Sequence, residues 1–417
     1  MKRKRLFTLI GGICFVLGLG LIPFIPHAAA PPAEPYKIGF LTCATGFMAV
    51  WGSGARDASL IAADKINAAG GINGHPVKVI IYDDETNPSK AVMALKKLID
   101  EDKVLGFVGP IPTGSALACA PIAEEGKVPM FAGNSSSWSV AVKPWDNVAK
   151  PPPNIRHWVF KPGIDAIFQD TAVYRMFKDI GNIKKLAHIN VNNAMGKAMR
   201  AAVEASYKAA GFEVVIWEEY GPDDTDMTAQ LTKIKGVDFD AMIISGAEAA
   251  AGITYKQARE MGIKQPIIGM PPIVMGKIID AVGGALDGLR VPAYVVELGE
   301  TLPANDPQRP VVLELTNLLG KKTGQKKADA SHAEGWDGVF VFADALKRAN
   351  PDLTNLQKAR SQVRDAMETI KGFVGNQAMG DMTKWHEIPA PMIPCEFKGG
   401  KLLIVGKKIT PTWADLE

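Results

Sequence analysis

Small polar residues follow three predicted strands at the point where each strand ends. Residues 42–46 follow the first strand, Thr113-Gly114-Ser115 follows the third, and residues 134–137 follow the fourth. Hydroxyl groups and the free amides of a helix start suit a carboxylate or another hydrogen-bond acceptor. Helix capping explains any one of these groups taken alone. Three groups at equivalent strand ends instead indicate one shared binding crevice.

Metal and catalytic chemistry have less support. Asp83-Asp84 ends the second predicted strand and could bind a metal ion, although an acidic pair in this place usually caps the next helix. The G-x-S-x-G, C-x-x-C and H-E-x-x-H motifs do not occur, and His386-Glu387 is followed by Ile388-Pro389, which cannot supply a second ligand from a helix. We therefore predict no enzyme activity, no cofactor and no metal site.

The elements that position the polar residues alternate between helix and strand. Apolar residues recur at helical spacing before residue 69, and Gly70-Gly71 then ends the helix because glycine tolerates positive φ. A strand follows over 77–82, and the same alternation predicts helices over 89–100 and 114–125 with strands over 104–108 and 128–132. Strands separated by helices predict an α/β fold with a doubly wound parallel sheet.

A second alternating series predicts a second lobe. Residues 143–163 contain five prolines, which we interpret as an interlobe connection because proline disfavours helices and central strands. Strands and helices alternate again over 165–270, and 417 residues exceed the roughly 250–300 that one core supports. The strand over 290–296 and the helices over 335–349 and 353–370 have no place in a finished second lobe. We predict one lobe from 36–150 with about 291–370, and another from about 155–290 with about 371–417.

Residues 1–30 have the pattern of a secretory signal peptide. Lys2, Arg3, Lys4 and Arg5 precede an apolar run over 6–25 and a group of small residues that ends at Ala30. An uncleaved membrane anchor is the alternative, because the apolar run is about long enough to span a bilayer. We predict export to the periplasm with cleavage near Ala30.

The mature chain is expected to be a soluble monomer that binds no nucleic acid. Removing residues 1–30 lowers the formal charge from +3 to about −1, and no later stretch is apolar enough to cross a membrane. Cys43, Cys119 and Cys395 remain, so at least one thiol stays unpaired even in an oxidising compartment, and one disulfide is possible.

Several segments carry a resemblance to a known family. They are INAAGGINGHPVKVIIYDDETNP at 66–88, FVGPIPTGS at 107–115, the run around Asp165, DDTDMTAQLTKIK at 223–235 and GWDGVFVFADAL at 335–346. Together they resemble the periplasmic binding proteins of branched-chain amino-acid-type ABC importers over essentially the whole mature chain. The resemblance implies a type I fold, with two Rossmann-like lobes joined by three crossovers and a ligand held in the cleft between them. Closure of the lobes would then be recognised by a membrane permease.

The resemblance also implies site residues. First-lobe ligand contacts of the family fall on Trp51, Thr113, Asn134 and Ser136, and Ser115 belongs to the same polar group. Trp51 could equally be an aromatic wall or a buried structural residue. In the second lobe, Met195 and Ala247 stand where amino-acid binders have tyrosines, and Pro272 stands where they have a glutamate. Glu248 could replace that glutamate.

The ligand expected from these departures is a small carboxylate, amide or aromatic acid. An α-ammonium group without a partner in a closed cleft would be costly, and only Glu248 offers one. The predicted function is capture of a small polar or carboxylate-bearing ligand, an amino acid or a related acid, for delivery to an ABC permease. A periplasmic sensing module for a signalling receptor is the alternative, and an exported enzyme on this fold is disfavoured because no catalytic motif was found.

Overall fold

The strands of the described residues form two large sheets and one small one. The computed structural model describes residues 33–133, 138–142, 150–208, 210–282 and 285–413, apart from the side chain of Lys277. The predicted signal peptide and the predicted site residues Asn134 and Ser136 lie outside these ranges. The strands are β1 (Tyr36–Thr42), β2 (Val77–Asp83), β3 (Gly106–Val108), β4 (Met130–Phe131), β5 (Val159–Gly163), β6 (Lys185–Val191), β7 (Glu213–Tyr220), β8 (Ala241–Ser245), β9 (Ile267–Gly269), β10 (Arg290–Tyr294), β11 (Phe373–Val374), β12 (Met379–Gly380), β13 (Glu387–Pro389), β14 (Met392–Lys398) and β15 (Lys401–Ile404).

Each large sheet is the centre of one lobe. The first has the order β13-β5-β4-β3-β1-β2, and its neighbouring strands are parallel. The second has the order β15-β14-β10-β9-β8-β6-β7, with antiparallel pairing only where β14 meets β10 and β15. This arrangement confirms the predicted α/β class with two doubly wound lobes.

Helices follow most of the parallel strands and cover both sheets. They are α1 (Ala49–Ala68), α2 (Pro88–Asp100), α3 (Thr113–Glu125), α4 (Ala166–Ile180), α5 (Ala194–Ser206), α6 (Thr228–Lys235), α7 (Ala249–Glu260), α8 (Gly276–Ala281), α9 (Arg309–Thr323), α10 (Ala330–Ala349) and α11 (Leu356–Glu368). Asn87, Asn193 and Asp329 begin α2, α5 and α10 by accepting first-turn amides. As predicted, α1 ends at a glycine turn, where Gly70 and Gly71 have φ of 97° and 78°.

The chain passes between the two sheets three times within the described residues. It leaves the first sheet after β5, returns to the first lobe after β10, and crosses again between β13 and β14. After the return, both α9 and α10 contact α1, and α10 packs along it. Gly335 of α10 allows this approach, because a Cβ there would overlap the carbonyl oxygen of Ala55. The three crossings are those of the predicted hinge, and both sheets belong to one compact unit, Glu34–Glu417.

One predicted connection is wrong. The proline-rich segment was expected to contain no central strand, yet β5 includes Pro162 and lies between β4 and β13. Phe160 pairs with Phe131, the last residue of β4, so Pro162 extends beyond the end of that neighbour. Lys161 instead donates its amide to His386 on the other side. The missing N–H of Pro162 therefore costs no ladder hydrogen bond.

Three strands pair in a different sheet from the one that the predicted lobe boundaries imply. Strand β10 was expected to begin the return to the first lobe, but it pairs with β9 and β14 in the second sheet. Strands β5 and β13 were placed with the second lobe, but they pair with each other in the first sheet. The sheet to which each of these strands belongs is decided by its pairing with a distant segment. The alternation of strand and helix along the sequence carries no information about such pairing. The exact residues at which one lobe gives way to the other remain a prediction.

The cysteines and the helices bear on two further expectations. Cys43, Cys119 and Cys395 are each buried and free, and burial raises the pKa of the Cys119 and Cys395 thiols to about 12. In the described part of the chain, none of the helices combines the length and the apolar character that a membrane span requires.

Candidate ligand-binding site

A cavity of about 280 Å³ lies between the two lobes at the carboxyl ends of their strands. Seven of the nine predicted site residues line it: Trp51, Thr113 and Ser115 from the first lobe, and Met195, Ala247, Glu248 and Pro272 from the second. The other two, Asn134 and Ser136, lie outside the described residues. The cavity therefore brings together residues that are more than 200 positions apart in the sequence, at the edge where doubly wound folds bind ligands.

The start of α3 forms the polar part of the first-lobe wall. Pro112 precedes the helix without a side-chain cap, and the first helical hydrogen bond runs from the amide of Ala116 to the carbonyl of Pro112. The amides of Thr113, Gly114 and Ser115 have no acceptor within the described ranges. Unsatisfied amides and the helix dipole together favour an anion at this end of the helix.

The turn before α3 positions this helix start over the strand ends. Gly109 has a φ of 89°, and a Cβ at this position would overlap the carbonyl oxygen of Leu41 in β1. Only glycine combines that conformation with so close an approach. The following peptide bond, Gly109–Pro110, is cis. The chain then passes through Ile111 and Pro112, which also line the cavity.

Trp51 is both a wall residue and a structural residue. It lies on α1, is 3% exposed, and lines the cavity. Its indole Nε1 donates to Glu334 Oε2 of α10 over 2.8 Å. Both alternatives left open by the sequence therefore apply to Trp51. The hydrogen bond fixes the indole ring, and the apolar surface of the ring faces the cavity.

Glu248 is the charged group of the second-lobe wall. It stands just before α7, is 4% exposed, and accepts hydrogen bonds from Asn193 Nδ2 at 3.0 Å and from the amide of Ala247 at 2.8 Å. In the part of the chain that the structure describes, no lysine, arginine or histidine forms an ion pair with it. Burial raises the pKa of Glu248, against the opposing effect of the hydrogen bonds it accepts. Among the residues that the structure describes, the carboxylate thus faces the cavity without a counter-charge.

Asn193 holds this carboxylate in place. Its Oδ1 accepts the amide of Gly196 at 3.1 Å and begins α5, while its Nδ2 donates to Glu248. Gly196 lets the helix start close to β6, because a Cβ there would overlap the carbonyl oxygen of Val191. The Asn193 side chain thereby joins the start of α5 to Glu248 at the start of α7, in the same wall of the cavity.

The rest of the second-lobe wall is apolar except for Tyr294. Met195, Ala247 and Pro272 present no charged or hydrogen-bonding side chain, as the sequence indicated. Tyr294, the last residue of β10, also lines the cavity and is 1% exposed. Its hydroxyl has no partner among the described residues, and burial raises its pKa.

Sequence reasoning missed Asn193 and Tyr294 as cavity residues. Asn193 was recognisable as a polar residue at a strand end before a helix, which is the signal that identified Thr113. Tyr294 was missed because β10 was grouped with the first lobe, whereas this strand pairs with β9 and β14 in the second sheet. The remaining additional lining residues are Phe47, Met48, Thr86, Pro88, Ile111, Pro112, Gly114 and Ala194.

The acidic pair at the end of β2 organises the loops beside the cavity. Asp83 accepts the hydroxyl of Thr45 at 2.8 Å and the amide of Glu85 at 3.0 Å, and Asp84 accepts the amide of Thr86 at 2.8 Å. Burial raises the pKa of Asp84 to about 6. The aspartates thus bond amides of the loop before α2, as expected, but Asn87 caps that helix and neither aspartate does. The described residues contain no group of three potential metal ligands.

Two other cavities differ from this one in position and lining. A smaller one of about 190 Å³ shares Trp51, Ala247 and Glu248 with it and reaches Asp223 and Asp224, so it extends the same cleft. A groove of about 660 Å³ lies on the first lobe beside α1 and α10 and contains none of the predicted site residues. The cleft is therefore the candidate site.

The fold and the cleft define a two-lobed periplasmic binding protein. The model of the family described as "Periplasmic binding protein" matches residues 35–401, and the chain belongs to this family. The resemblance drawn from the sequence is thus confirmed.

Named relatives and solved structures agree with this assignment. The chain is 24% identical to Leu/Ile/Val-binding protein homolog 7 of Brucella suis, over 90% of this chain and 92% of the relative. It is 23% identical to the leucine-, isoleucine-, valine-, threonine-, and alanine-binding protein of Pseudomonas aeruginosa, over 85% and 91%. LivJ of Streptococcus pneumoniae, solved in complex with isoleucine, has a TM-score of 0.74 at 24% identity, covering 91% of this chain and 100% of LivJ. These relatives are named as binding proteins.

Proposed function

We propose that the chain is an extracytoplasmic solute-binding protein that captures a small carboxylate-bearing ligand and delivers it to an ABC permease. The single observation that carries this proposal is the composition of the cleft. One wall is a helix start with the Thr113 hydroxyl and three amides that have no acceptor in the described part of the chain, and the other contains the buried carboxylate of Glu248. Apolar residues, Trp51 and Met195 among them, separate these polar groups.

The two polar walls favour a ligand with groups of opposite character. A carboxylate suits the start of α3, because the helix dipole and the free amides are both complementary to negative charge. An ammonium or another hydrogen-bond donor suits Glu248, because that carboxylate is buried and has no cationic partner among the described residues. The ligand we propose is accordingly an amino acid or a closely related acid.

Glu248 modifies the ligand class expected from the sequence. Pro272 leaves the family's usual carboxylate position without a charge, which favoured ligands that lack an amine. Glu248 lies in the wall of the same cavity and supplies a carboxylate from the start of α7. The names of the relatives, which refer to leucine, isoleucine and valine, also support an amine-bearing ligand.

Delivery to a permease is the part of the proposal that rests on the family. The hinge of three crossings permits the lobes to close over a ligand, and closure can be read by a membrane partner. A sensing module for a signalling receptor would use the same closure. Residues 1–30 would direct export to the periplasm and be removed near Ala30, which N-terminal sequencing of the periplasmic protein would test.

Ligand capture is tested by thermal denaturation of the purified mature chain with a panel of amino acids and carboxylic acids. Binding of one member should raise the Tm with increasing concentration, as mass action requires. A Tm that no member of the panel changes would contradict the proposal. Uptake of the identified ligand by cells without this protein separates the two roles, since transport requires that uptake be lost and sensing leaves it unchanged.

A further inference from the structure

Three buried charged residues lie where the chain crosses between the lobes. Lys161 of β5 and Asp165 belong to the first crossing, and Glu387 of β13 belongs to the third. The strands pair in parallel with Lys161 opposite Glu387. Lys161 and Asp165 are 0% exposed and Glu387 is 3% exposed. Charged residues are almost never buried to this degree without partners.

The contacts within this group connect two of the three crossings. Lys161 Nζ donates to Asp165 Oδ1. The Glu387 carboxyl lies within hydrogen-bonding reach of the Asp165 carboxyl. Asp165 Oδ2 and Glu387 Oε1 are both buried, and neither accepts a well-formed hydrogen bond among the described residues. The indole of Trp413 also lies beside the Glu387 carboxyl, and it acts to lower the pKa of that group. The space beside Glu387 that Trp413 also lines is too narrow to hold a water molecule.

Two carboxyl groups that face each other with orphan oxygens need a proton between them. If both were ionised, two negative charges would face one lysine in an environment of low polarity. A proton on one carboxyl supplies the missing donor to the other and leaves one negative charge for Lys161.

We propose that Asp165 and Glu387 share one proton and form, together with Lys161, a clasp that ties the first crossing to the third. Burial raises the pKa of Glu387 well above its ordinary value, and the charge of Asp165 raises it further. Within the described ranges, Asp165 and Lys161 are the charged groups that face Glu387. The neighbouring His386 is directed towards the Val159 carbonyl and Glu368, and burial lowers its pKa to about 4, so it is neutral.

The clasp makes the hinge sensitive to high pH. The amide of Lys161 donates to the carbonyl of His386, so the β5–β13 pairing and the shared proton connect the same two crossings. Loss of the proton leaves two buried carboxylates in contact, and their repulsion acts to separate the segments. Because the native pair binds a proton that the unfolded chain has lost, its contribution is present at low pH and disappears as the pH rises through the raised pKa.

Denaturant unfolding of the mature chain between about pH 5 and pH 9 tests the clasp. Glu387→Gln imitates the protonated form of Glu387. Asp165→Asn does the same for Asp165, so either variant leaves one carboxylate and no proton to share. We expect the folding equilibrium constant of the wild type to fall by up to about tenfold per pH unit relative to either variant. Glu396→Gln, a substitution on β14 outside the group, should follow the wild type.

Parallel pH profiles for the wild type and a folded clasp variant would overturn the proposal. Because Glu387→Gln and Asp165→Asn act on different crossings, either one suffices if the other does not fold. Hydrogen exchange adds a local readout, since the Lys161 amide in wild type should lose protection at high pH relative to the variant. If the ratio of the Lys161 amide protection factors in wild type and variant were the same at all pH values, the proposal would also be overturned.

Discussion

Asn193 Nδ2 donates to Glu248 Oε1 over 3.0 Å, and this hydrogen bond fixes the carboxylate in the second-lobe wall of the cleft. The same asparagine begins α5 through the amide of Gly196. The orientation of Glu248 therefore depends on the start of a neighbouring helix as well as on its own. Pre-organisation of this kind lowers the cost of binding, because the side chain is ordered before a ligand arrives.

Glu248→Gln should weaken binding of an amine-bearing ligand by about thirtyfold or more. The substitution keeps the shape of the side chain and removes its charge, and losing one partner of a buried charge pair costs about 2–5 kcal/mol. Titration calorimetry with the ligand found in the thermal screen measures the change. Glu260→Gln, at the exposed end of the same helix, is the matched control and should leave the affinity unchanged. Equal affinities for wild type and Glu248→Gln would exclude Glu248 from the site.

The affinity for an amine-bearing ligand should fall as the pH is lowered towards the raised pKa of Glu248. Burial raises that pKa in the free protein, so protonation removes the negative charge before an ordinary carboxyl group would titrate. The ammonium group of the ligand keeps its charge over the same range. Calorimetry at several pH values should show this loss in wild type and a flat profile in Glu248→Gln. A wild-type profile that is equally flat would contradict it.

Thr113→Val should reduce binding of a carboxylate by at least about tenfold. Valine preserves the shape of the side chain but removes the hydroxyl at the start of α3, and a hydrogen bond to a charged group contributes about 1.5–3 kcal/mol. Thr113→Ser keeps the hydroxyl and should retain most of the affinity. The two dissociation constants, measured with the same ligand, provide the comparison. A loss of the same size in both variants would indicate a packing effect instead.

Gly335→Ala should destabilise the first lobe. A Cβ at Gly335 would overlap the carbonyl oxygen of Ala55, so α1 and α10 would have to separate, at a cost of about 1–3 kcal/mol. Gly276→Ala is the matched control, because no atom lies within 4 Å of its Cβ position at the start of α8. Urea denaturation should give a lower midpoint for Gly335→Ala and an unchanged or higher one for Gly276→Ala. Equal midpoints would show that the helices tolerate the methyl group.

The sequence was informative about local structure because local signals determine it. Alternating helix and strand patterns, the glycine turn at Gly70-Gly71 and the asparagine caps all act within a few residues. The pairing of β10 and β13 was not predictable in this way, since β10 pairs with a segment about 100 residues away and β13 with one more than 200 residues away. Pro162 misled the prediction of β5 because its cost depends on where β4 ends.

The site shows the same division. Thr113 and Ser115 were recognisable from a polar run after a strand, whereas Tyr294 depended on the pairing of β10. The orientation of Glu248 depends on Asn193, which lies 55 positions away in the sequence. Of the described residues that line the cavity, pattern and resemblance thus identified three of ten in the first lobe and four of seven in the second.

The affinity of the wild-type protein for an amino acid and for the same acid without its amine tests the proposed site most directly. Leucine and 4-methylpentanoate form such a pair, and phenylalanine and 3-phenylpropanoate form another. With carboxylates at the start of α3 and an amine at Glu248, we expect the amine-bearing member of the preferred pair to bind at least about thirtyfold more tightly. Equal affinity, or tighter binding of the acid without the amine, would contradict this arrangement of the ligand.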